Sequence, residues 1–178
     1  MTKSIFIVAT SALALVACGK VAETATEKVI ESQIAKDGGK AKVALSDGGV
    51  KISSTDASGK TTQMEMGTAK VSEADIGLSF YPGTQPAAGG ATRISTPEAT
   101  MFTVMLHSDD APDKVAGFYR DKLKVQAEGK QFMETGGDGS HMLMLADDKT
   151  KQVMQVMVGK GDPKGSDIQI MANRPTAK

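Results

Sequence analysis

Asp110-Ala111-Pro112-Asp113-Lys114-Val115-Ala116-Gly117-Phe118-Tyr119-Arg120-Asp121-Lys122-Leu123-Lys124 is the stretch on which the fold turns. Val115, Phe118, Tyr119 and Leu123 recur at i, i+3, i+4 and i+8, which puts them on one side of an α-helix. Lys114, Arg120, Asp121 and Lys124 then face outward. Asp110 is placed to cap the helix, Pro112 belongs in its first turn, and Asp113 complements the dipole there. Upstream, Met101 to Leu106 alternates, with Phe102, Val104 and Leu106 on one side. Downstream, strands are expected at about 126–134, 140–146, 152–158 and 166–172. Gly136-Gly137-Asp138-Gly139, Asp147-Asp148-Lys149 and Gly159-Lys160-Gly161-Asp162-Pro163 separate them. A strand, a helix and a run of antiparallel strands make an α+β fold, with one helix covering one face of the sheet.

The N-terminal half reads differently. Residues 18–40 form a tether, helical from Lys20 to Lys36, with Val21, Ala25, Val29, Ile30 and Ile34 in a thin amphipathic stripe. Thr24 and Glu27 stand in capping-box order near its start. This helix is expected to lie beside a membrane or to dock weakly. Residues 41–75 read as a small β-meander: Val43 and Leu45, then Val50 and Ile52, then Thr62 to Met66, with turns at Asp47-Gly48-Gly49 and Ser58-Gly59-Lys60. Residues 67–98, rich in Gly, Pro, Ala and Thr, read as a connector, with a type II turn at Tyr81-Pro82-Gly83. The α+β module spans 76–174, and 175–178 are a tail.

Phe80-Tyr81-Pro82-Gly83, followed by a strand and by Ser108-Asp109-Asp110-Ala111-Pro112-Asp113-Lys114-Val115 with Phe118-Tyr119-Arg120-Asp121-Lys122-Leu123, resembles a module of uncharacterised bacterial envelope lipoproteins. The resemblance covers about residues 76–172. It implies a helix on a curved sheet and carries no agreed activity.

Composition narrows the chemistry. Lys and Arg total 21 against 21 Asp and Glu, so the basic excess of a general nucleic-acid binder is missing. His107 and His141 lie in no recognisable nucleophile context, and no glycine loop has the Walker pattern. Asp109-Asp110 reads as a helix start and Asp147-Asp148 as a turn. The expectation is therefore a non-enzymatic protein without a cofactor, binding an envelope protein or an apolar ligand and no nucleic acid. The one enrichment is methionine: 11 residues in a chain with five Phe, two Tyr and no Trp. Methionine fills irregular gaps, so the simple reading is a core filler. The alternative is periplasmic copper binding or sensing through Met142, Met144, His141, Met64 and Met66, since thioethers and imidazole suit Cu(I). Alternation argues against that set, because His141 and Met142 fall on opposite sides of one strand, as do Met154 and Met157.

Residues 1–17 carry Lys3 and an apolar run from Ile5 to Val16, too short to span a bilayer as a helix and suited to a signal peptide. Leu15-Val16-Ala17-Cys18-Gly19 resembles the bacterial lipoprotein lipobox. The resemblance implies diacylglyceryl transfer to the Cys18 thiol, cleavage before Cys18 and acylation of the new terminus. Loss of Lys3 and of the terminal amine leaves 20 basic groups against 21 acidic ones, a net charge of −1. With Gly19 and Lys20 after the anchor, the place implied is the inner leaflet of an outer membrane, where the cell has one. Two or three acyl chains hold a protein on a membrane where one does so marginally. Cys18→Ser is expected to abolish incorporation of an alkyne-labelled fatty acid and to shift the protein from the membrane to the aqueous fraction; unchanged labelling would refute the anchor.

Overall fold

The computed structural model describes residues 19–36, 39–46, 48–67 and 69–176; the proposed leader and Cys18 lie outside them. Among the described residues three helices and nine strands follow in the order α1 (Gly19–Lys36), β1 (Lys40–Ser46), β2 (Gly49–Thr55), β3 (Thr61–Gly67), α2 (Glu73–Ile76), β4 (Pro86–Ser95), β5 (Ala99–Ser108), α3 (Pro112–Val125), β6 (Gln131–Gly137), β7 (Ser140–Asp147), β8 (Gln152–Lys160) and β9 (Ser166–Pro175). The strands form one sheet, ordered β1-β2-β3-β4-β5-β9-β8-β7-β6, with every neighbouring pair antiparallel. The chain is α+β.

The stretch expected to be a connector is where the two halves join. Residues 86–95 pair with β3 on one side and β5 on the other. Their Gly and Ala content is accommodated by irregular register between Pro86 and Ala91 and between Met66 and Gly67. The meander therefore continues into the sheet of the larger module. The turn at Tyr81-Pro82-Gly83 forms as expected: Gly83 has φ 80°, and Thr84 N–H donates to the Tyr81 carbonyl at 3.1 Å.

α3 begins with Pro112 in its first turn and buries Val115, Ala116, Tyr119 and Leu123 against β7, β8 and β9. The opposing wall is Leu143, Leu145, Val156, Val158, Ile168 and Ile170. Ile76 of α2 and Leu78 complete this layer, so its cover is shared between α3, α2 and the segment leading to Tyr81. Tyr119 is fully buried, and its hydroxyl accepts from Tyr81 N–H at 3.0 Å. Burial pushes its phenol pKa up. Asp110 does not cap α3: Ala111 is the N-cap and makes no side-chain bond. Instead Asp110 accepts from Tyr81 Oη at 2.7 Å and from Lys114 Nζ at 2.9 Å, which holds its carboxyl below the usual value of 3.8. The carboxylate thus ties the Tyr81 turn to the first turn of α3.

α1 runs along the outer edge of β1. Glu31 Oε1 accepts from Val43 N–H at 2.8 Å and Glu27 Oε1 accepts from Leu45 N–H at 2.7 Å, so two of the outward-pointing donors of that edge are satisfied. α1 begins at Gly19, so Thr24 stands inside the helix and not at its N-cap, and Glu27 is engaged with the sheet.

Removing the Tyr119 hydroxyl leaves the Tyr81 N–H buried without a partner, a cost of about 1–3 kcal/mol. Tyr119→Phe is expected to lower the melting temperature by several degrees, measured by circular dichroism; an unchanged melt would show that water or relaxation replaces the bond.

A methionine face opposite the helices

Strand alternation sends successive side chains to opposite faces, and directly paired residues share a face. The registers can therefore be followed across the whole sheet. One row runs Met133, Met144, Gln155, Met171, Thr103, Thr92, Met66, Val50, Leu45 from β6 to β1. The neighbouring row is Gln131, Ala146, Val153, Asn173, Met101, Ile94, Met64, Ile52, Val43. A third, across five strands, is Thr135, Met142, Met157, Gln169, Met105. All three rows lie on the face opposite α3.

Nine of the ten methionines among the described residues stand in these rows, and no position in them is Asp, Glu, Lys, Arg or His. The tenth, Met154, pairs with Leu145 and Ala172 and packs against the helix-covered core. The expectation of a methionine-filled core is thus overturned, because Leu, Val and Ile fill the layer beneath α3. Several face methionines are open to solvent: Met133 is 49% exposed, Met101 and Met105 40%, Met66 38% and Met142 37%.

The reverse side of β1–β4 shows what an ordinary solvated face looks like in this chain. It carries Lys42, Lys51, Gln63, Glu65 and Arg93, with Lys51 Nζ 2.8 Å from Glu65 and Arg93 3.5 Å from Asp75. Charge is concentrated there and withheld from the methionine side. On the methionine side it returns beside Met105, where His107 Nδ1 lies 2.8 Å from Asp167 Oδ1. A depression of about 430 Å³ opens at this pair, where Asp167 and His141 line it together with Met105, Met142, Met157 and Gln169. That volume falls in the range of small-ligand sites. Gln155 Nε2 donates to Met142 Sδ at 3.3 Å, which orients one sulfur of the cluster.

The residues singled out for copper do not gather. His141 lies on the helix side, with Nε2 2.7 Å from Asp113 Oδ1. Met64 and Met66 share the face of Met142 and Met144 but are separated from them by β4, β5, β9 and β8, about 24 Å at ordinary strand spacing. Met142 and Met144 instead meet Met157 and Met133, their directly paired neighbours. Sequence reasoning missed those two because their strand partners are not written in local spacing. Among the described residues no three His, Cys, Asp or Glu side chains gather as a metal site, and no helix is long and apolar enough to cross a membrane. Neither histidine forms a nucleophile pair with Ser108, whose hydroxyl faces the helix side and accepts from Asp110 N–H at 3.1 Å.

Comparison of the chain with protein-family models, with curated proteins and with solved structures returned no match.

The two faces of β7 give a direct comparison. Leu143→Ala, beneath α3, is expected to cost roughly 2–5 kcal/mol, and Met144→Ala, on the open face, less than about 1 kcal/mol. Urea unfolding of both variants checks this; equal losses would mean that the methionine side is a second core.

Proposed function

We propose that the chain is a lipid-tethered, non-enzymatic binding module of the bacterial envelope, which holds an apolar or amphipathic partner on its methionine face. The observation that carries the reading is three neighbouring rows without a charged side chain that hold nine methionines, set against a charged reverse side on β1–β4. Depletion of charge and enrichment of methionine mark the centre of interaction surfaces. Flexible thioethers let one surface repack against different shapes. At ordinary strand spacing the eight strands beyond β1, whose Val43 is buried, present a surface roughly 34 Å across. α3, α2 and the segment leading to Tyr81 support the opposite side of the sheet, and a lipid on Cys18 would tether the module to a membrane.

The test uses the full chain in phosphatidylcholine nanodiscs and a fluorescent amphipathic peptide of Leu, Gln and Glu, with empty discs subtracted. Met157→Glu, which puts a carboxylate among the sulfurs of the depression, is expected to weaken binding at least tenfold. Lys42→Ala, on the other side of β1, is expected to leave it unchanged. Absence of binding, or equal weakening by both variants, would refute the reading.

A second reading is favoured by the corner formed by β6, β7 and β8. There Met133 is paired with Met144 and Met142 with Met157, and paired residues have Cβ atoms about 4.5–5.5 Å apart. Four thioethers in this arrangement suit Cu(I). Titration against a chromogenic Cu(I) chelator is expected to show binding that Met142→Leu with Met144→Leu weakens; no affinity tighter than about micromolar would end this reading.

A further inference from the structure

We propose that the methionine face is a site of reversible oxidation, at which two-electron oxygen donors such as hypochlorous acid or hydrogen peroxide convert thioethers to sulfoxides and switch off apolar binding without unfolding the protein. The site follows from placement. Five methionines with 37–49% exposure, Met66, Met101, Met105, Met133 and Met142, stand on a single surface. The layer that holds the fold together is built from Leu, Val, Ile and Tyr119, which do not undergo this chemistry. Met154 touches that layer and serves as an internal reference on the other side of the sheet.

In the step itself a sulfur lone pair attacks the electrophilic oxygen of HOCl. The S–O bond forms as the O–Cl bond breaks, chloride leaves with the electron pair, and the hydroxyl proton passes to water. With hydrogen peroxide the leaving group is hydroxide, which takes that proton to become water. Sulfur is oxidised by two electrons in each case. Return requires two thiol equivalents from a sulfoxide reductase, giving thioether, disulfide and water. The product is a polar, chiral group where an adaptable apolar one stood. Among rows that hold no charged side chain, several such groups change the character of the surface.

The loss of binding rests on the reading in the preceding subsection; the oxidation order and the survival of the fold do not. The experiment treats the full chain in nanodiscs with graded hypochlorous acid, followed by peptide mass mapping, circular dichroism melting and the peptide-binding assay. Met133, Met101, Met105, Met66 and Met142 are expected to oxidise before Met154. At about five sulfoxides per chain the melt is expected to move by only a few degrees, while affinity falls at least tenfold and returns after treatment with sulfoxide reductases. A chain carrying M66L, M101L, M105L, M133L and M142L, whatever its starting affinity, is expected to show no such fall. Oxidation of Met154 as fast as Met133, unfolding with the first sulfoxides, or an oxidised chain that binds as tightly as the reduced one would overturn the proposal. If the reduced chain does not bind the peptide, the binding reading fails, and the oxidation site is judged on the order and the melt.

Discussion

The pleat of β5–β9 sends alternate side chains to two apolar surfaces, and the chain keeps those surfaces chemically distinct. Leu143, Leu145, Val156, Val158, Ile168 and Ile170 go to the side that α3 covers. Met133, Met142, Met144, Met157 and Met171 go to the other. Branched side chains have few rotamers and form a core that fixes one arrangement, whereas methionine has three soft torsions and holds no particular shape. Rigidity and adaptability are thus separated by the thickness of one backbone.

That separation needs the sheet to be anchored from one side only. Tyr119 and the Asp110 carboxylate do so by joining α3 to the Tyr81 turn, and the capping box of Ser72 and Asp75 starts the short helix that adds Ile76 to the same layer. Arg120 and Glu134 bind α3 to β6 through paired hydrogen bonds. None of these ties reaches the methionine side. Changes there act on what the surface touches more than on whether the domain folds.

Much of this was legible in the sequence. The helix stripe of Val115, Tyr119 and Leu123, the Pro82-Gly83 turn and the strands at 140–146, 152–158 and 166–172 follow from local periodicity and turn chemistry, and they stand in the structure with small extensions. β6 runs from Gln131 to Gly137, later than the expected 126–134, because Gly136 and Gly137 read locally as loop. They pair with His141 and Ser140, leaving Asp138 and Gly139, both at positive φ, as a two-residue hairpin turn. β4 was missed because its Pro86-to-Gly90 start carries no alternation. The surface itself was out of reach: Met64-x-Met66 and Met142-x-Met144 each announce a common side, but their shared face depends on β4 joining β3 to β5 and on β9 lying beside β5. Those are long-range pairings, and local spacing does not encode them.

The two outer edges of the sheet are unequal. Glu27 and Glu31 occupy two donors of β1, with α1 lying along that edge, while β6 ends the strand order with no strand beyond it among the described residues. A strand added to this sheet has one place to go. Two copies joined through β6 would each spend their single open edge on the other and present sealed helical borders at both ends, so such an assembly stops at a pair. With α1 along one edge, growth of the sheet strand by strand would be confined to the β6 side.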